Sequence, residues 1–171
     1  MPSPQKQKGS SWERDVAKFL TSTYNESFIR APGSGAYVGG SNQVRKQFLH
    51  EGQIRSFKGD IVPGESFKRF NAECKNYGDF PFHQLLQGEC KQLDSWISQL
   101  MDVADPNDVN ILFIKISRIG KFILVQDSYT WDNSIPHNIY TNKKYGTWKL
   151  FDFDLFWQRN TPLFKQLCTH P

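Results

Sequence analysis

Cysteine is scarce. The 171 residues hold three, Cys74, Cys90 and Cys168, odd in number and far apart. Such usage excludes a disulfide framework. No C-x-x-C pair or Cys/His set at ligand spacing occurs, which excludes a zinc module. Reduced thiols are expected, in the cytoplasm of a cell, or of the host cell if the chain is viral. No apolar run is long enough for a membrane helix, and no signal peptide is expected. Internal repeats and low-complexity runs do not stand out. What is abundant is aromatic: fourteen Phe, six Tyr and five Trp, which excludes intrinsic disorder. The length suits one domain, expected over residues 10–171, after a flexible basic arm at 1–9 that carries Lys6 and Lys8. Lysine and arginine number 21 against 17 acidic residues, a net charge of +4. That balance favours polyanionic partners without identifying one.

The stretch Lys58–Tyr77, KGDIVPGESFKRFNAECKNY, concentrates the chemistry. Ile61 and Val62 end one short strand, Pro63-Gly64 supplies a turn, and Phe67 to Lys75 reads as a second strand. Residues two apart on a strand share a face. Glu73 and Lys75 therefore point one way and Cys74 the other, toward a core. An antiparallel hairpin turning at 63–66 would bring Asp60 beside Glu73. Two carboxylates and an amine on one face suit metal-assisted phosphodiester hydrolysis. Carboxylate oxygens bind Mg²⁺. The ion polarises a phosphate and acidifies a bound water. A lysine there orients that water or takes its proton, and offsets negative charge. The plainer reading is a solvated strand face carrying an ordinary Glu–Lys pair.

Asp60 with Glu73-Cys74-Lys75 resembles the signature of the PD-(D/E)xK nuclease superfamily, with Gly59 where that superfamily often has proline. Lys8-Gly9-Ser10-Ser11-Trp12-Glu13-Arg14 resembles the opening of the first helix in Holliday-junction resolvases of archaeal type. That resemblance implies that Glu13 is a third acidic group at the metal. Spacing alone fits a capping box instead, in which Glu13 reaches back to the Ser10 amide. Arg30-Ala31-Pro32-Gly33-Ser34-Gly35 is similar to a segment of the same enzymes whose serine lies near the scissile phosphate. By composition it is a turn. Phe80-Pro81-Phe82 and Gln92 resemble bacterial resolvases, which implies that Gln92 helps hold Lys75 or DNA. A surface glutamine fits the pattern equally.

Elsewhere a helix is expected over Ser11 to Thr23, with Trp12, Val16, Phe19 and Leu20 on its apolar face. Phe28 and Ile29 start a strand. The segment 36–57 is a long loop. Arg30, Arg45, Lys46, Arg55 and Lys58 in and around it would grip DNA phosphates, or the loop is a solvated insertion. A long helix is expected from Phe82 to Met101, weakened at Gly88. Val109 to Ile116 and Lys121 to Gln126 read as a central hairpin; the resolvases have a similar pair, and that resemblance implies that Lys115 lies near the DNA. Residues 127–145 look irregular. A strand at 148–153 and a helix at 155–166 close the chain, with an aromatic cluster (Trp148, Phe151, Phe153, Phe156, Trp157) that belongs to a core or a subunit interface.

The element order is that of an α/β domain with a restriction-endonuclease-like mixed central sheet flanked by helices; the core is expected over 10–126 and a C-terminal strand and helix over 146–166. The resemblance, which covers about residues 8–126, implies a Mg²⁺-dependent endonuclease, with Mn²⁺ able to substitute. Its substrate would be branched DNA, most like a Holliday junction, cut by a homodimer. Asp60, Glu73, Glu13 and the Cys74 carbonyl would bind metal and Lys75 would handle the water. Lys8, Arg30, Ser34, Arg45, Lys46, Arg55, Lys58 and Gln92 would seat DNA. Two readings stay open beside it: a restriction- or repair-type nuclease on linear, nicked or single-stranded DNA, and a non-catalytic DNA-binding module.

Overall fold

The computed structural model describes residues 3–32 and 58–170. Helix α1 spans Pro4–Tyr24 and is followed by strand β1, Ile29–Arg30. Strands β2, Ile61–Val62, and β3, Phe70–Tyr77, precede two short helices, α2 (His83–Gln87) and α3 (Lys91–Asp102). Strands β4 (Val109–Ile116), β5 (Gly120–Gln126), β6 (His137–Asn142) and β7 (Gly146–Asp152) lead into the C-terminal helix α4, Phe153–Thr169.

A mixed sheet of order β3-β4-β5-β7-β6 forms the centre, with β3 parallel to β4 and the remaining pairs antiparallel. Successive side chains of a strand face opposite ways, so the sheet has a core on each side. Ile111 and Phe113 of β4 pack with Trp12, Val16 and Leu20 of α1 and Phe156 and Phe164 of α4. Leu112, Ile114 and Ile116 pack with Leu93, Trp96, Ile97 and Leu100 of α3. The Trp12 indole donates to the Phe113 carbonyl at 3.0 Å and fixes α1 across the sheet. This is an α/β restriction-endonuclease-like architecture. Among the described residues no helix is long and apolar enough to cross a membrane.

Several elements differ from expectation. Helix α1 starts at Pro4, so residues 4–9 are helical rather than an arm. Ser3 caps it by accepting from the Lys6 amide at 3.3 Å, and proline suits a first helical position. There is no capping box at Ser10, whose hydroxyl instead donates to the Lys6 carbonyl at 3.1 Å. The helix expected from Phe82 to Met101 is two helices, because Gly88 adopts φ +82° and ends α2. Leu86, just before that break, is exposed. The irregular stretch 127–145 contains β6. The aromatic cluster is core: Trp148, Phe151, Phe153, Phe156 and Trp157 are all buried within the chain, as are Trp96, Ile97 and Leu100. None of these offers a face for a subunit contact.

Candidate active site

Strands β2 and β3 are not partners in one hairpin. Strand β2 pairs antiparallel with β1 in a separate two-stranded sheet, Arg30 opposite Ile61. The juxtaposition expected of a hairpin arises another way. Strand β3 is the edge of the central sheet, and its free side receives residue 60. The Asp60 amide donates to the Ala72 carbonyl at 2.9 Å, and the Asp60 carbonyl accepts from the Ala31 amide at 2.8 Å. Asp60 thus bridges the two sheets. Its Oδ2 accepts from the Cys74 amide at 2.8 Å. The N–H and C=O of an extended residue project toward the same edge, so the Cys74 carbonyl also faces the Asp60 side.

Gly59 makes this approach possible. Its φ is +67°, and a Cβ there would sit 2.5 Å from the Ala72 carbonyl oxygen. Proline, with φ held near −65°, cannot take that conformation. Glycine at this place therefore bears on how Asp60 reaches β3, more than on a turn alone.

Glu73 and Lys75 project together from β3, and the Lys75 Nζ lies 3.8 Å from Glu73 Oε2. The Lys75 amine also donates to Gln99 of α3. Asp60 is 4 % exposed, Glu73 2 % and Lys75 8 %. Burial, and next the Asp60 charge beside it, push the Glu73 carboxyl well above the usual carboxylate range. Cys74 points into the core on the other side of the sheet, and burial holds its thiol up. Beyond Lys75, a cleft of about 460 Å³ opens at the end of β3, walled by Lys8, Gly9, Asn76 and Tyr77.

Glu13, in α1, is buried and near Asp60, whose charge joins burial in raising its carboxyl above the usual range. Its carboxylate, however, is taken by the Arg30 guanidinium. Among the described residues no three acidic, His or Cys side chains converge as a ligand set, and Glu13 stands beside Asp60 with Arg30 on its carboxylate. The donors that do converge, two carboxylates and a main-chain carbonyl edge, are hard oxygens. Mg²⁺ is commonly held by one or two carboxylates with waters and phosphates completing its shell. The buried like-charged pair therefore fits such an ion.

Of the residues expected to seat DNA, Lys8 lies on the cleft wall, its Nζ 3.4 Å from the Ser117 hydroxyl, and Asn76 donates to its carbonyl at 2.9 Å. Lys58 does not present its charge outward. It is 7 % exposed, pairs with Asp108, and lies 3.0 Å from Asp105. That network anchors the chain before Asp60, and the expectation of a phosphate contact fails there. The helix glutamine at Lys75 is Gln99, two turns after Gln92, to which the resemblance gave that place. Its signal was the seven-residue spacing, which returns a helix to the same face. Lys115 lies over the Trp12 ring, 5.7 Å from its centroid. Ser34, Arg45, Lys46 and Arg55, with the rest of the 36–57 loop, lie outside the described residues.

No curated protein and no solved structure matches the chain. One family model does, described as "Phage putative PDDEXK endonuclease", over residues 4–161. The match runs from the first turn of α1 into α4 and takes in Glu13, Asp60, Glu73 and Lys75. By this match over nearly its whole length, the chain belongs to that PD-(D/E)xK endonuclease family.

Proposed function

We propose that the chain is a divalent-metal-dependent DNA endonuclease whose reacting groups are Asp60, Glu73 and Lys75. The observation that carries this reading is the buried Asp60–Glu73 pair with the Lys75 amine 3.8 Å from Glu73. An isolated carboxylate pair in a dry site is costly, and a bound cation would offset that cost. Asp60, Glu73 and the Cys74 carbonyl would hold Mg²⁺, with Mn²⁺ able to replace it. When bound, the ion supplies Lewis-acid polarisation of the phosphate and a more acidic water.

The protein's own part follows from its contacts. The Cys74 amide fixes the Asp60 carboxylate, and Gln99 fixes the Lys75 amine. Lys75 orients the attacking water at the phosphorus. The water oxygen forms the new P–O bond, the P–O bond to the departing sugar breaks, and a proton released by the water balances the one taken by the leaving oxygen. Lys75 also offsets the charge that builds on the phosphoryl oxygens. A purely DNA-binding module has no use for burying these three groups together.

Within this reading, the finer substrate proposal is branched DNA of the Holliday-junction kind. It is supported by the resolvase-like segments around Glu13 and Arg30. Junction resolution takes two symmetric cuts, so it carries a two-fold homodimer. The contact would have to use surfaces other than the buried aromatic cluster. The alternative is one cut per encounter on linear, nicked or single-stranded DNA. Incubating the protein with labelled four-way junction, duplex, nicked and single-stranded DNA, with Mg²⁺ or with EDTA, separates these. Junction preference with a dimer by light scattering supports resolution. A monomer without that preference leaves the general nuclease. No cleavage of any DNA in Mg²⁺ or Mn²⁺ overturns the enzyme reading.

A further inference from the structure

Two grooves run along the flanks of α1, and their charges differ. One, of about 550 Å³, lies between α1 and β1. Its walls carry Arg14, Lys18 and Arg30 and the hydroxyl-bearing Ser22 and Ser27. Among the described residues lining it there is no carboxylate. The other, of about 600 Å³, lies between α1 and the β4–β5 turn. Its cations Lys115, Arg118 and Lys121 share the wall with Asp15, and Lys121 stands 3.6 Å from Asp154.

We infer that the groove between α1 and β1 is the track along which a DNA strand's phosphates enter the site. The inference rests on the nuclease reading and names where its substrate runs. Arg14, Lys18 and Ser22 are spaced by four, so they form one stripe on the outer face of α1. Arg14 and Lys18 are both exposed. Four residues advance a helix by about 6 Å, so the two cations meet different points of an extended backbone. The wall opposite is held in place by Thr21, whose hydroxyl donates to the Phe28 carbonyl at 3.1 Å and accepts from the Phe28 amide at 3.0 Å. Arg30 closes the inner end and is bonded to Glu13, which neighbours Asp60. The stripe thus leads cation by cation to the acidic pair. A phosphodiester is the ligand this wall fits: anionic, with oxygens that accept from guanidinium, ammonium and hydroxyl groups.

The test compares two double substitutions, Arg14→Ala/Lys18→Ala in this groove and Arg118→Ala/Lys121→Ala in the other. Binding of a labelled duplex and of the preferred substrate is measured by anisotropy in Ca²⁺ across a salt series, and cleavage in Mg²⁺ at subsaturating DNA. All four side chains lie on the surface, and melting curves check that folding is kept. The first pair should weaken binding at 0.1 M salt by about tenfold or more and lower the log–log salt slope by about 2. Its cleavage at subsaturating DNA should fall in step with that lost affinity. The second pair should do clearly less. Unchanged affinity and slope in the first pair, while wild type binds and cuts, overturns the track and leaves the nuclease standing. Equal losses in both pairs overturn it too, since that is what unlocalised basicity gives. A wild-type chain that neither binds nor cuts DNA defeats the nuclease reading and the track together.

Discussion

Glu73 sits at the centre of a charge conflict: buried, with one neighbouring carboxyl and one neighbouring amine. Its carboxyl titrates above the usual range, and so does that of Glu13, each from burial first and the Asp60 charge second. Unfolded glutamate titrates near about 4.3. A folded value above the unfolded one means that the folded state binds the proton more tightly. The resulting stability is fully present below the unfolded value and is lost as pH rises through the folded one. In EDTA, the melting temperature should therefore fall as pH rises above the unfolded glutamate value, and Glu73→Gln should flatten the fall. Adding Mg²⁺ at pH 8 should raise the wild-type melting temperature and leave Glu73→Gln nearly unmoved. A wild-type profile that rises with pH in EDTA would contradict the raised carboxyls. The partner of Lys75 was legible only as a residue type. A glutamine on the helix was expected, and the one in contact is Gln99, two turns further along the same face of α3 than Gln92.

At the scale of elements, the edge position of β3 makes the site. A central strand would spend both edges on ladder bonds, whereas β3 leaves one side for the Asp60 amide and carboxylate. Gly59 is the hinge of that arrangement. Gly59→Ala would force a left-handed conformation on a residue with a Cβ and drive that Cβ against the Ala72 carbonyl. Strain of this kind costs of order 1–3 kcal/mol. The substitution should lower stability by about that much in urea titration and also reduce cleavage by displacing Asp60. Loss of stability alone, with full activity, would show that Asp60 reaches its place without Gly59. The strands with continuous apolar runs were readable in advance: β4 lies where VNILFIKI predicts it, and β5 starts one residue early, at Gly120. Strand β6, HNIYTN, was not. Among the described residues it is an edge strand paired with β7, with Tyr140 buried and Ile139 57 % exposed, so no run of apolar residues marks it. The start of α1 was hidden in the same way, since its first turns pack little and a capping serine and Pro4 are the sole local signals.

For the whole molecule, the two-sided core explains what the composition could not. Abundant aromatics suggested spare surface for a partner; instead α1 and α4 cover one face of the sheet and α2 and α3 the other, and the large rings go inside. The net positive charge likewise does not map simply onto DNA contact. Lys58 is buried against Asp108 and pairs with the exposed Asp105, while Arg14 and Lys18 stand on the surface of α1. Pairing inside the fold depends on which distant segments meet, and a local reading of charge does not contain it. The central claim is that Asp60, Glu73 and Lys75 act on a phosphodiester as one unit. The most direct measurement is single-turnover cleavage at saturating DNA in Mg²⁺, for wild type and for Asp60→Asn, Glu73→Gln and Lys75→Ala, with affinity measured in parallel in Ca²⁺. The account predicts that each substitution slows cleavage by about 100-fold or more while DNA affinity stays within a few-fold and the proteins remain folded. Wild-type rates in all three variants, or full cleavage in excess EDTA, would contradict it.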